Sequence, residues 1–378
     1  MNKSDNKILK EIAGLFLKLG TIGFGGPAAH IAMMQDEVVN KRKWIDEQHF
    51  LDLIGATNLI PGPNSTEMAI HIGHEKAGWK GLIVAGLCFI LPAIIITGIF
   101  AVLYKEYGQL PQLEPFIYGI KPAIIAIILA AIYPLAKKSL KTVELAIIGV
   151  ITFILSLINF NEIYIMFGAG LIALALAAIR NKKVNSIKSV FPFTLFQISG
   201  TGLLSVSNLG LFFTFLKIGA ILYGSGYVLF AFLDTELVEK GLLSRQQLID
   251  AIAVGQFTPG PVFSSVTFIG YQINGLNGAI ASTIGIFLPS FVFVALLNPL
   301  VRKMRNSILF SAFLDAVNIA SVAIIIAICY QIGKDKITDW RTILIAVVCL
   351  ILTFGFRKIN SALIVLGGSL TGYLLTLI

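Results

Sequence analysis

Two Pro-Gly-Pro triplets, Pro61-Gly62-Pro63 and Pro259-Gly260-Pro261, carry the sharpest chemical signal in this chain. Asn58 precedes the first, and Asn64-Ser65-Thr66-Glu67 follows it. Val262-Phe263-Ser264-Ser265, with Thr267, follows the second. The leading proline of each triplet stops one helix, and the trailing one can open the next at its first turn. The glycine between them lets the backbone come close to a ligand. Such a break does electrostatic chemistry. The first N–H groups of a helix have no intrahelical acceptor and lie at the positive end of its dipole, which makes an anion site needing no metal or cofactor. Hydroxyls and amides at that point suit a tetrahedral oxyanion. Asn64 with Glu67 also fits a capping box that merely starts a helix, so both readings stand at this point.

A second pair of breaks lies upstream, at Gly23-Phe24-Gly25-Gly26-Pro27 and at Tyr223-Gly224-Ser225-Gly226. Gly25, Gly26, Pro27, Gly224 and Gly226 therefore join the candidate anion site. Lys18 and Lys217 stand at equivalent places on the apolar helices before these breaks. A cation inside a bilayer costs about 3 kcal/mol on insertion scales and tends to mark a pathway. The two lysines are expected as counter-charges to the anion, with snorkelling to the interface as the alternative. Lys121, before Pro122, is a lesser candidate for the same duty. His30, closing the stretch from Gly25, can bind substrate or sense pH, or simply hold the break together. His71, His74 and Glu75 cluster without a further ligand, so no metal is expected. Asp52 and Asp250 recur in register and fit either proton relay or helix capping.

These breaks belong to an internal repeat, the feature to be sought first in any chain. Phe16-Leu17-Lys18-Leu19-Gly20 returns as Phe215-Leu216-Lys217-Ile218-Gly219, and Glu37 falls opposite Glu236. Phe50-Leu51-Asp52 matches Leu248-Ile249-Asp250, Ile72-Gly73 matches Ile269-Gly270, and Pro92 matches Pro289. The expected division is a first repeat over 8–180, a linker over 181–207 and a second repeat over 208–378. Each half reads as a first helix broken at its glycines, a polar amphipathic stretch, two short apolar pieces flanking Pro-Gly-Pro, and about four full spans. The short pieces 50–60 and 64–73 cannot cross a bilayer and are expected as a re-entrant or broken-helix hairpin buried in protein. About five crossings per half is an odd number, so the second copy is inserted upside down. The predicted fold is thus an all-α polytopic membrane protein built as an inverted repeat, a recurring plan of secondary transporters.

Composition requires a bilayer. Hydrophobic residues make up 56% of the 378, charged residues 13%, and the mean hydropathy is +0.86; soluble chains carry about twice that charge. Apolar runs long enough to span include 81–103, 115–135, 278–300 and 309–330. The net charge of +9 reflects Lys and Arg in short loops, as the positive-inside rule expects, and nucleic acid is not an expected partner. Lys137-Lys138 with Lys141, Arg180 with Lys182-Lys183, and Arg302-Lys303 read as cytoplasmic. For the N-terminus the cues oppose each other: Lys41-Arg42-Lys43 inside would put it outside, and Lys3, Lys7 and Lys10 argue the reverse. Met1 to Lys10 is polar, so no leader is expected. Cys88, Cys329 and Cys349 lie in apolar runs with no disulfide or zinc spacing. The chain has no phosphate-binding loop, Gly-x-Ser-x-Gly elbow or His-Glu-x-x-His pair, so no ATP-driven or hydrolytic activity is expected.

The motifs resemble those of one family. The run Phe24-Gly25-Gly26-Pro27-Ala28-Ala29-His30-Ile31-Ala32-Met33-Met34 with Glu37-Val38-Val39, and Asn58 through Glu67 continuing to Gly78-Trp79-Lys80-Gly81 and Phe89-Ile90-Leu91-Pro92, are similar to the chromate ion transporter family. Phe257-Thr258-Pro259-Gly260-Pro261 anchors its C-terminal repeat. The resemblance covers nearly the whole chain, as in the family's long two-domain members. It implies export of chromate across the bacterial plasma membrane, conferring resistance and driven by the membrane gradient, without a cofactor. A coupling proton or counter-ion, the lipid bilayer and a homodimeric partner fit that picture. Sulfate shares the charge and shape of chromate and is the alternative substrate. The second half departs from the first: Ser225 and Gly226 replace Gly26 and Pro27, and His30 has no counterpart, so the first half is the stronger site.

Overall fold

A computed structural model describes residues 3–24, 26–108, 114–158, 160–180, 207–223, 226, 228–305, 307–356, 359 and 361–377. Gly25, Gly224 and nearly all of the expected linker lie outside the described residues. Helices account for nearly all regular structure and no strand occurs among the described residues, as expected where no water satisfies the backbone. The first half runs α1 (Lys3–Ile22), α2 (Gly26–Gln35), a π-helical turn (Asp36–Lys41), α3 (Glu47–Thr57), α4 (Asn64–Tyr107), α5 (Glu114–Ser139), α6 (Val143–Leu157) and α7 (Glu162–Arg180). The second repeats the series as α8 (Asn208–Ile221), α9 (Val228–Leu233), a π-helical turn (Asp234–Val238), α10 (Arg245–Phe257), a 3-10 turn (Val262–Ser264), α11 (Ser265–Arg305), α12 (Ile308–Lys336), α13 (Trp340–Gly355) and α14 (Ser361–Thr376).

Both α4 and α11 fold back on themselves. Gly78 takes φ 57 after a non-helical Ala77, and Gly275 takes φ 58 after a non-helical Asn274, a left-handed conformation natural to glycine. Across the first bend, Gly73 lies against Gly81 and Ala85, while Ile70 lies against Gly86. Contacts that pair off symmetrically about a bend mean antiparallel arms. Missing side chains at Gly73 and Gly81, and at Gly270 and Gly278, let the arms touch backbone to backbone. At the far end, His49 Nε2 is 3.3 Å from Glu75 Oε2, so the start of α3 lies beside the end of the arm 64–76. The two short apolar segments are therefore a re-entrant hairpin with Pro61-Gly62-Pro63 at its tip.

Equivalent parts of the two repeats run in opposite directions. The arm 79–107 packs on the second arm of α11 with Leu82 near Val294 and Gly86 against Phe291, a descending register that only antiparallel helices produce. Within each half the first helix closes on this arm at a glycine: Gly20 on the Phe89 carbonyl, and Gly219 on that of Ile286. The C-terminal helices are then exchanged between halves. The main partners of α5 are α14 and α13, and those of α12 are α7 and α6. Small residues form these seams, with Gly119 against Gly368 and Gly372, and Gly170 against Phe313 and Val317.

Five described segments are long and apolar enough to cross a membrane: Asn64–Tyr107, Glu114–Ser139, Glu162–Arg180, Val262–Leu296 and Ile308–Lys334. That is fewer full spans than about five per half. The helices Val143–Leu157, Asn208–Ile221, Trp340–Gly355 and Ser361–Thr376 are apolar but shorter. Three of them are capped at their starts by side chains: Thr142 accepts from the Leu145 N–H, Ser207 from that of Gly210 and Asp339 from that of Thr342. At 1.5 Å per residue they cover less than the roughly 30 Å hydrocarbon layer by themselves. Outward-facing Leu87, Ile95 and Ile99 on α4 and Leu171 and Ile172 on α7 are more than half exposed or close to it, an apolar girdle suited to lipid. The chain is a multi-pass membrane protein.

Candidate functional site

The four breaks pair off between the repeats. The Gly62 N–H donates to the Leu222 carbonyl at 2.8 Å, and the Gly260 N–H donates to the Gly23 carbonyl at 2.7 Å. Each Pro-Gly-Pro tip is thus fastened to the broken first helix of the other repeat. The depth of the tips follows from their neighbours. Gly260 lies against Ala93, the midpoint of the arm 79–107, and Gly62 lies against Ser290 on the equivalent arm. Ser290 donates to Glu67 Oε1 at 3.4 Å, while Thr97 donates to the Ser264 hydroxyl at 3.3 Å.

Pro63 and Pro261 stand at the N-cap, one residue before the helical turns they open. Neither makes a side-chain cap, and no capping box forms at Asn64 and Glu67: Asn64 Nδ2 donates instead to Asn58 Oδ1 at 2.9 Å, and Glu67 turns to Ser290. Asn58 in turn donates to the Ile54 carbonyl at 2.9 Å, closing α3. Ser65, Thr66, Glu67, Ser264 and Ser265 are all buried. Thr66 Oγ1, Glu67 Oε2 and Ser265 Oγ have no hydrogen-bond partner among the described residues, although buried polar atoms are normally paired.

The tip amides of Gly62 and Gly260 are not free donors. Both are taken up by the carbonyls just described, because the close approach that glycine permits is used by the other repeat's backbone. By helix geometry the first unpaired donors are then the N–H groups of Asn64 and Ser65, and of Val262 and Phe263. Pro61 and Pro259 lead into the tips; Gly26 opens α2 at φ 77 with Pro27 next to it. Gly226 lies against Val262 and Phe263 at ordinary contact distance. His30 is buried edge-on to Phe89, and its Nε2–H donates to the Gly23 carbonyl at 2.8 Å. That carbonyl therefore receives both His30 and Gly260, which makes His30 a brace for the first-half break. The second half has no such residue.

Lys18 and Lys217 are engaged by carboxylates. Lys18 Nζ is 2.8 Å from Glu37 Oε1, with Arg42 Nε 3.3 Å from Oε2. Lys217 likewise pairs with Glu236, which Lys240 also meets at 2.6 Å. The glutamates stand in the two π-helical turns, so these pairs tie each first helix to the polar segment that follows it. Lys18 beside it holds the Glu37 carboxyl below the usual carboxylate range against the opposing effect of burial, with Arg42 helping. Asp250 accepts from Tyr104 of the other repeat at 2.6 Å and from Gln246; Asp52 accepts from Gln48 at 3.4 Å. Ser290, Thr97 and Tyr104 escaped the motif reading. The repeat alignment held a signal for the first: Pro92 matches Pro289, which sets Ser290 opposite Ala93. Cavities of about 310 Å³, lined by Trp79, Leu82 and Phe291, and about 260 Å³, lined by Ile345, Leu352 and Leu363, are apolar and lie away from the tips.

Comparison with known proteins places this architecture. The profile of the family described as Chromate transporter matches residues 10–174 and again 209–373. A chromate transport protein of Cupriavidus metallidurans is 31% identical over 96% of this chain and 92% of its own length. A probable chromate transport protein of Synechococcus elongatus is 29% identical over 96% and 95%. An uncharacterized transporter of Methanocaldococcus jannaschii is 27% identical over 99% and 96%. No solved structure matches the chain. With both repeats matched, and each tip bonded to the other repeat, the chain belongs to the chromate transporter family.

Proposed function

We propose that this protein is a secondary transporter that moves chromate, or a closely similar tetrahedral dianion, out of the cell and so confers chromate resistance. The observation that carries the reading is that each Pro-Gly-Pro tip, at mid-span, is bonded to the opposite repeat's broken helix. Around them lie two helix starts and the buried hydroxyls of Ser65, Thr66, Ser264 and Ser265. Helix starts attract anions through their free N–H groups and dipole, and tetrahedral oxygens match several short donors at once. Mirrored breaks on oppositely directed repeats favour alternating access: rocking one repeat against the other opens the centre to one side at a time. The names of the Cupriavidus and Synechococcus relatives support chromate as the cargo.

In this mechanism Pro61-Gly62-Pro63 and Pro259-Gly260-Pro261 form the moving junction. Their bonds to Leu222 and Gly23 hold the centre closed, and the anion meets the helix starts as those bonds exchange. The Lys18–Glu37 and Lys217–Glu236 pairs flank the two breaks; a released ammonium group is available as a counter-charge. The test is uptake of labelled chromate into everted vesicles, without sulfate and with sulfate at equimolar and excess concentrations, for the wild type and Lys18→Ala. Saturable uptake upholds the reading, and its absence in the wild type overturns it. Uptake abolished by equimolar sulfate reassigns the cargo to sulfate, and unchanged uptake in a well-folded Lys18→Ala removes Lys18 from the site.

A further inference from the structure

The oxyanion site leaves two deeply enclosed ionisable groups among the described residues without a task. Glu67 is 0% exposed and His71 is 1% exposed. Glu67 Oε2 and both ring nitrogens of His71 have no hydrogen-bond partner among the described residues. Residues 67, 71 and 74 recur at helical spacing and share one face of the arm 64–76. The other faces are apolar: Met68, Ala69 and Ile72 enter one hydrophobic cluster and Ile70 another. The row Glu67, His71, His74 therefore runs from the tip at mid-span to the mouth of the re-entrant hairpin. There His49 and Glu75, both about one-third exposed, pair at 3.3 Å. Three of the chain's four histidines lie on this one hairpin. The groups that face the row are Ser290 and Tyr223 at Glu67, and His49 with His74 at His71.

The second repeat shows that the fold does not need this row. Its hairpin has the same bend and tip, yet Ser265 stands opposite Glu67, Phe268 opposite His71, Tyr271 opposite His74, Gln272 opposite Glu75 and Gln247 opposite His49. A structural requirement would apply to both copies.

We propose that Glu67 and His71 are the proton-carrying site of this transporter, exchanging protons with the aqueous phase at the His49–Glu75 mouth. The proposal rests on the oxyanion reading above. A carboxylate and a dianion repel strongly in a site of low dielectric. Glu67 takes up one proton at Oε2 and becomes neutral, and the dianion then settles on the neighbouring helix starts. That proton arrives from the mouth by way of a neutral His71 nitrogen; when the centre opens to the opposite side, anion and proton leave together, Oε2 giving its proton to water there and recovering its negative charge. Occupancy by the anion and protonation of Glu67 thus rise and fall together.

The experiment uses purified full-length protein in proteoliposomes, and reads the ratio of labelled chromate accumulated with and without a pH gradient of one unit. One proton per anion gives a ratio of about ten. Glu67→Gln and, separately, His71→Gln bring that ratio to about one, whereas damage to folding alone lowers both uptakes together and leaves the ratio intact. A ratio unaltered in both variants overturns the proposal. A second arm needs no oxyanion: infrared difference spectra of the same protein between acid and neutral pH. A buried carboxyl C=O band that titrates in the wild type and vanishes in Glu67→Gln upholds the proton site; its absence from the wild type overturns it. A wild type that moves no chromate but keeps this band loses the oxyanion reading alone.

Discussion

The tightness of the central junction can be tested with single methyl groups. Gly62 has φ 135, in a region essentially reserved for glycine, and a Cβ there would strike the Glu67 carboxyl and approach Ser290 Oγ to 2.7 Å. Backbone strain of this kind costs about 1–3 kcal/mol, and overpacking a closed site costs about 1–3 kcal/mol more. Gly62→Ala is therefore expected to lose about 2–6 kcal/mol. Two controls separate the terms. Gly78 has φ 57 with no atom within 4 Å of its Cβ position, so Gly78→Ala carries strain alone, about 1–2 kcal/mol. Gly98 is helical and equally open, so Gly98→Ala is neutral or stabilising by up to about 1 kcal/mol. Apparent melting temperatures of the detergent-purified proteins, read by size-exclusion after heating, should order the variants Gly98→Ala, wild type, Gly78→Ala, Gly62→Ala from most to least stable. If Gly62→Ala melts together with Gly78→Ala, the tip is not packed against Glu67 and Ser290, and the reasoning about the site collapses.

Tyr104→Phe removes the bond to Asp250 that joins the repeats and should destabilise by about 1.5–3 kcal/mol, as for hydrogen bonds to charged groups; equal melting of the two proteins would deny the contact. The Glu37 carboxyl is held below its ordinary value, so its contribution to stability is full above that ordinary value, about pH 4.3, and is lost as pH falls through the lowered one. Melting measured between about pH 3 and 7 should fall less steeply in Lys18→Gln than in the wild type over the acid end. Gly119→Val should separate α5 from α14, because the backbones of Gly368 and Gly372 occupy that space; loss of monodisperse protein, with Gly367→Val tolerated in open surroundings, is the expected pattern.

Much of this protein is legible from neighbouring residues alone. Hydropathy demands a bilayer, prolines and glycines end helices wherever they stand, and the recurrence of whole segments reveals two repeats. Those are local effects, so the re-entrant tip at Pro61-Gly62-Pro63 and the break after Ile22 could be read without coordinates. The partners of these elements could not. Helices equally apolar on their outer faces gain no hydrophobic advantage from choosing one neighbour over another in lipid, and small-residue fit decides instead. Hence the exchange of α5 and α12 between halves rests on contacts such as Gly119 with Gly368, residues far apart in the chain. The same holds at the centre. Lys18 and Glu67 each suggested a ligand role by type and position, but only folding brought Glu37 to the first and Ser290 to the second. Charge and hydrogen bonding act across space, over a few ångströms, and nothing in the order of residues along the chain states which groups will come within that reach.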